Sequence, residues 1–118
     1  MAVEFLTGVA LPLPHTPVAA VSAGDVVVVG DECRIAHLDI PAGVPGSLYA
    51  PCGTALYQAP KSTGSGHAIT DSALVYWDAT NEVATYTSNS SANKVIGESV
   101  ASFGDNDPFV RFRHSKGN

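Results

Sequence analysis

Charge is scarce in this chain: only 14% of its 118 residues are Asp, Glu, Lys or Arg, well below the usual quarter. Six Lys and Arg stand against eleven Asp and Glu, a formal charge of −5, which argues against a protein that must neutralise a row of phosphates. Four of the cations, Lys94, Arg111, Arg113 and Lys116, fall in the last quarter. A cluster this small reads as a solvated strand face, so no nucleic-acid partner is expected. Long apolar runs are also missing. No stretch approaches the roughly eighteen consecutive apolar residues that span a bilayer, and Met1-Ala2-Val3-Glu4-Phe5 has neither a basic nor a long apolar signal region. A soluble protein made without export, and without a membrane partner, is expected. The two cysteines, Cys33 and Cys52, have no CxxC spacing and no paired histidines to suggest zinc. Two reduced thiols are the default reading, since a bridge would need Cα atoms within about 7 Å.

Helical periodicity is nearly absent, because Gly (11 residues) and Pro (8 residues) interrupt almost every window long enough for three turns. What remains is strand-like. Asp25-Val26-Val27-Val28-Val29-Gly30 is a continuous β-branched run and reads as a central strand buried on both faces. Cys33 to Leu38 follows across a tight turn at Gly30-Asp31-Glu32 and should pair with it. Ser47 to Ala50 and Thr54 to Gln58 are short strands separated by the turn Pro51-Cys52-Gly53, and Ala59 to Asp71 reads as a mobile surface loop. Ala73 to Thr87 is the clearest hairpin. Asp78 can bond the turn backbone there, and Asn81 can adopt the left-handed conformation that closes it. Tyr76 and Trp77 must face opposite sides of their strand. Lys94 to Ser99 and Pro108 to Arg113 flank the polar turn Gly104-Asp105-Asn106-Asp107. Short strands with frequent turn signals predict an all-β fold, a single small β-barrel or β-sandwich.

The first residues differ from the rest. Pro12, Pro14 and Pro17 forbid a helix and remove three backbone donors, so Leu6 to Val18 should be extended. The reading divides the chain into residues 1–22, an extended Pro-rich N-terminal arm or edge segment, and residues 23–118, the β domain. Phe5, Leu6, Val9, Leu11 and Leu13 make this segment apolar, which suits an assembly interface as well as an edge strand folded back on its own domain.

Candidate catalytic groups are scattered. His15, His37, His67 and His114 lie in different elements, with no nucleophile elbow, HExxH helix or Cys-His signature. Cys33, His37 and Asp39 could share one strand face, but packing explains such a coincidence better than nucleophilic chemistry does. Asp105-Asn106-Asp107 lacks the downstream glycine and terminal glutamate of a calcium loop and reads as a turn. Lys61-Ser62 resembles the end of a phosphate-binding loop, yet Pro60 and Ala55 stand where that motif needs glycine. No enzyme activity, cofactor or metal is expected.

The order Ala23-Gly24-Asp25-Val26-Val27-Val28-Val29-Gly30, Arg34-Ile35-Ala36, Ala42-Gly43, Gly53, Ala59-Pro60-Lys61, Val75-Tyr76-Trp77-Asp78, Ala84-Thr85, Ile96-Gly97 and Val110-Arg111-Phe112 resembles a family of small tailed-phage proteins. These are capsid decoration, or cement, proteins, some of which carry a recombinase label that the absent phosphate loop contradicts here. The resemblance covers roughly Gly8 to Phe112. Asn81-Glu82 replaces the family's common Asn-Gly, Thr70-Asp71 its Gly-Asp, and the Pro-rich start is unusual. It implies a β-barrel or sandwich, a place on the outer capsid surface of the virion, contact with major capsid protein, and self-assembly as homotrimers or dimers. Competing expectations are another virion component, such as a head-completion or tail protein, and a small ligand-binding or hydrolytic barrel using Cys33, His37 or Asp39.

Overall fold

The computed structural model describes residues 3–116, and these contain ten strands in two antiparallel sheets with no helix. In chain order the strands are β1 (Glu4–Thr7), β2 (Leu11–His15), β3 (Val26–Val29), β4 (Glu32–Ala36), β5 (Gly46–Ala50), β6 (Leu56–Pro60), β7 (Leu74–Asp78), β8 (Val83–Thr85), β9 (Lys94–Ser99) and β10 (Phe109–His114). The larger sheet runs β1-β6-β10-β9-β7-β8 and the smaller β2-β5-β4-β3. The larger sheet curls round on itself: beyond β6, Lys61 forms a parallel bridge with Ala84, and Ser62 N donates to the Ala84 carbonyl at 2.8 Å. The turn Pro51-Cys52-Gly53 does not close a hairpin. It carries the chain from β5 in one sheet to β6 in the other.

Local turn chemistry accounts for the two tightest hairpins. A two-residue loop, Gly30-Asp31, sets Val29 opposite Glu32 and Val27 opposite Arg34. The valine run nevertheless lies at an edge of the smaller sheet, not in its centre, and Val28 and Val29 are exposed. The run is apolar because both faces of this sheet are covered near its start: Val26 packs with the main core and Val27 with a second cluster of Ala36, Ile40 and Leu48. In the β7–β8 hairpin, Asp78 Oδ1 accepts from the amides of Thr80 and Asn81 at 3.0 and 3.1 Å, as the sequence predicts. The left-handed residue is Glu82, at φ 55°, not Asn81. Asn81 instead turns its Nδ2 to Asp78 Oδ2 at 2.8 Å.

The segment read as a mobile loop is pinned at several points. Lys61 is buried, and its ammonium donates to the carbonyls of Ser62 and Asp105 at 2.8 and 3.4 Å. Burial lowers its pKa, with Asp107 and Asp105 partly opposing. Ser62 Oγ reaches Thr85 Oγ1 at 3.0 Å, and buried Ile69 bridges to Phe103. An unpaired backbone polar group under cover would cost too much to leave such a segment loose.

The main core fills the space inside the larger sheet and under the smaller one, with Tyr57, Val75, Trp77, Ile96, Val110 and Phe112 facing Cys33 and Ile35. At the join, fully buried His114 donates from Nε2 to the Cys33 carbonyl at 2.7 Å. The ring is thus the Nε2–H tautomer, and its buried Nδ1 has no partner. Protonating Nδ1 would leave a charged donor unsolvated, and burial accordingly lowers the His114 pKa, with nearby His37 adding to the effect. Beside it, His37 Nε2 and Tyr57 Oη lie 2.6 Å apart, and His37 stacks on Tyr49 with centroids 3.7 Å apart. Burial lowers the His37 pKa as well and raises that of Tyr57. Gly97 permits the close crossing of β9 and β10, because a Cβ there would collide with the Arg113 carbonyl and the Phe112 ring.

Two outcomes follow from this packing. Trp77 is only 5% exposed, so Trp77→Ala should cost about 3–5 kcal/mol in urea unfolding, and an unchanged midpoint would place the ring outside the core. The folded pKa values of His37 and His114 lie below their ordinary value of 6.5, so the unfolded chain binds more protons in this range. Stability should therefore be full above about pH 6.5 and fall as pH drops below it, with up to about two protons taken up on unfolding. Glu32 and Asp78, whose pKa values are lowered from 4.5 and 3.8, titrate below that window. A urea midpoint that stays level from pH 7 to about pH 5 would contradict the lowered pKa values of His37 and His114.

Candidate assembly surface

Residues 4–15 form two edge strands, one on each sheet. β1 pairs with β6 at the rim of the larger sheet, and β2 pairs with β5 at the rim of the smaller one. The link between them crosses from sheet to sheet and is clipped to the body. Val9 O accepts from Thr54 Oγ1 at 2.8 Å and from Cys52 Sγ at 3.0 Å. Gly8, at φ 103°, lies so close to Thr54 that a Cβ would collide with its carbonyl. Proline explains the polarity of β2. With Pro12 opposite Tyr49 and Pro14 opposite Ser47, the ladder to β5 can take donors only from Leu11, Leu13 and His15. The outward rim then has no N–H at positions 12 and 14.

The five apolar residues of this segment are held at fixed positions. Phe5 lies 5.4 Å from Tyr57 and 4.9 Å from His37 between ring centroids and closes the end of the aromatic seam, yet stays 40% exposed. Leu6, Val9 and Leu11 are 39, 74 and 49% exposed, while Leu13 is half-buried. An open groove of about 470 Å³ runs beside β1, lined among others by Val3, Phe5, Ile35, His37 and Tyr57. The result is a contiguous stretch of chain carrying four exposed large apolar side chains across both sheets, an arrangement found at contact sites.

The residues considered for chemistry have separate structural partners. Cys33 Sγ is buried against the Lys94 carbonyl at 3.8 Å, and burial, the main cause, pushes its thiol up to about 12. His37 bonds Tyr57, and Asp39 Oδ1 accepts from the Ala23 amide at 2.8 Å. Both cysteines are free, Cys33 buried and Cys52 exposed. Burial raises the Cys52 pKa, but hydrogen bonds from Thr54 and from the Ala55 and Leu11 backbone outweigh it and hold the thiol below its ordinary value. Asp107 and Asp105 bond the amides of Gly104 and Ala68 at 2.7 and 2.9 Å. Among the described residues no group of three metal-ligating side chains gathers. The basic residues near the end of the chain pair locally: Lys94 with Asp31 at 3.0 Å, Arg113 with Glu98 at 2.9 Å and Lys116 with Glu32 at 3.1 Å. Arg111 lies over the Phe103 ring at 5.7 Å.

The clip at Val9 and the part played by His114 were not readable from sequence. Each depends on residues about forty or more positions apart, and neither carries a local motif.

No curated protein and no solved structure matches the chain. A family model described as phage cement protein matches residues 6–114, from the exposed Leu6 of β1 to the buried His114 of β10. Because the match spans both sheets and the seam between them, the chain belongs to the phage cement protein family.

Proposed function

We propose that this protein binds the outer surface of a phage capsid and stabilises the shell without catalysing a reaction, and that Phe5, Leu6, Val9, Leu11 and Leu13 form its contact with major capsid protein. The family match supports an association with the capsid. The observation that carries the choice of surface is the exposed apolar stretch of residues 5–11, which a free monomer would leave in water. Its backbone is already ordered in two sheets, so docking does not carry the entropy cost of folding a loose arm. Each copy then needs only modest affinity. Contacts repeated over a lattice, each bridging neighbouring capsid subunits, add up to a stabilised shell. Copies meet at symmetry axes of the capsid, which fits the small size of the chain.

Because β1 and β2 belong to the two sheets, deleting residues 2–14 should unfold the domain. Point changes separate binding from folding. The triple variant Leu6→Ser, Val9→Asp, Leu11→Asp should keep the wild-type circular dichroism and lose at least about tenfold in affinity for purified, undecorated shells in co-sedimentation, the loss of one apolar side chain's burial being enough for that factor. Wild-type binding by the folded variant would move the contact to another surface.

A further inference from the structure

The four sheet edges are protected unequally. On β2 the prolines leave the outward rim without two of its donors. β1 carries Glu4 and is interrupted by a bulge between Phe5 and Thr7. On β8 the rim is taken up by the bond from Ser62 N to Ala84 O. β3 has none of these devices: it is four valines, with no proline, charge or bulge. Its register shows which groups point outward. Val29 opposite Glu32 closes the two-residue loop, Val27 lies opposite Arg34, and Ala36 N donates to Asp25 O at 2.9 Å. Val27 and Val29 therefore turn their amide groups toward β4, as Asp25 turns its carbonyl, while the Asp25 amide donates to the Ser22 carbonyl at 3.0 Å; Val26 and Val28 turn theirs away from the sheet. No described residue bonds them there.

We propose that β3 is a self-pairing edge, at which a second copy of this chain adds its own β3 antiparallel about a twofold axis at Val27. Val26 then exchanges hydrogen bonds with Val28 of the second copy, and Val28 with Val26 of the second copy. Two four-stranded sheets become one of eight, an isologous contact that closes on itself. The register sets Asp25 beside Val29 of the second copy and Asp31 beside Ala23 of the second copy, so no like charges face each other across the ladder. The ends of the strand are complementary as well. Around the β3–β4 turn, the cations Arg34, Lys94 and Lys116 outnumber Asp31 and Glu32. At the start of β3, the groove formed by Gly24, Asp25, Val26, Val27, Trp77, Ala79 and Glu82 holds two carboxylates and no cation. Antiparallel pairing brings each cation-rich turn beside the other copy's acidic start. A strand this short covers far less than the roughly 800 Å² per partner of a standard interface. The dimer is therefore weak in solution and strengthened where copies are concentrated, as on a lattice.

Sedimentation velocity on the full chain, in a series up to millimolar protein, tests this without any capsid, so its result is independent of the proposed shell contact. Wild type should shift toward twice the monomer mass as concentration rises. Val28→Pro removes one outward donor, leaves the β4 ladder intact, and should be monomeric with an unchanged circular dichroism spectrum. A second variant guards against misfolding of the first. Val27→Cys in a Cys52→Ser background puts two thiols at a non-hydrogen-bonded pair about 4.5 Å apart between Cα atoms, within disulfide reach, and should cross-link to dimer under mild oxidation. A wild type that stays monomeric throughout, a folded Val28→Pro variant that still dimerises, or a Val27→Cys variant that fails to cross-link in a dimerising sample each overturns the proposal. So does a monomeric wild type whose Val28→Pro variant loses shell binding, since the edge would then belong to the capsid protein.

Discussion

A fully buried polar tie joins the two sheets inside an apolar seam. His114, on β10 in the interior of the larger sheet, donates from Nε2 to the carbonyl of Cys33, on β4 in the interior of the smaller sheet, across 81 positions of sequence. Without that partner a carbonyl and an imidazole would both be buried unsatisfied, at a cost of about 1–3 kcal/mol each. Around it the Cys33 thiol faces the Lys94 carbonyl, and the rings of Tyr57, Phe112 and His37 pack edge and face. Burial, not the bond itself, disfavours the charged ring, because a protonated Nδ1 would have no partner, and this couples the join between sheets to protonation. It also requires β9 and β10 to approach as closely as Gly97 allows.

From that seam the placement of the N-terminal segment follows. Tyr57 and Phe5 meet in a T-shaped contact, so β1 closes the end of the seam, and the chain then crosses to the other sheet under the clip formed by Val9, Cys52 and Thr54. The same residues that complete the core on one side leave Leu6, Val9 and Leu11 on the other. Structure and proposed contact share one segment. A side chain displayed by a paired strand loses less freedom on docking than one on a loose arm, which suits the proposed contact.

Edges are the complementary constraint. Open strand edges expose any sheet protein to accidental pairing between copies, and three of the four rims here are closed by proline, by a bulge with a charge, or by an intramolecular bond. That leaves strand pairing one open rim, β3, whose ends carry opposite charge excess.

Much of the local structure was legible in the residues. Asp78 and its turn, the opposite facing of Tyr76 and Trp77, the Gly30-Asp31 loop and the polar turn at Gly104 to Asp107 all rest on interactions within a few positions, which composition and alternation encode directly. Position in the sheets was not. Four valines in a row announce a strand covered on both faces, and near its start β3 is one, but alternation says nothing about which strand lies on either side of it. Pro51-Cys52-Gly53 reads the same whether it closes a hairpin or carries the chain between sheets. His114 looked like one scattered histidine among four, because burial of a single ring depends on what packs over it. The sequence by itself determined the strands, their turns and the absence of helix, since these follow from backbone sterics and nearest-neighbour hydrogen bonds. Tertiary structure alone decided which rims stay open, which histidine is locked neutral and which apolar residues of the first strands remain outside, because each of these is set by contact between segments far apart in the chain.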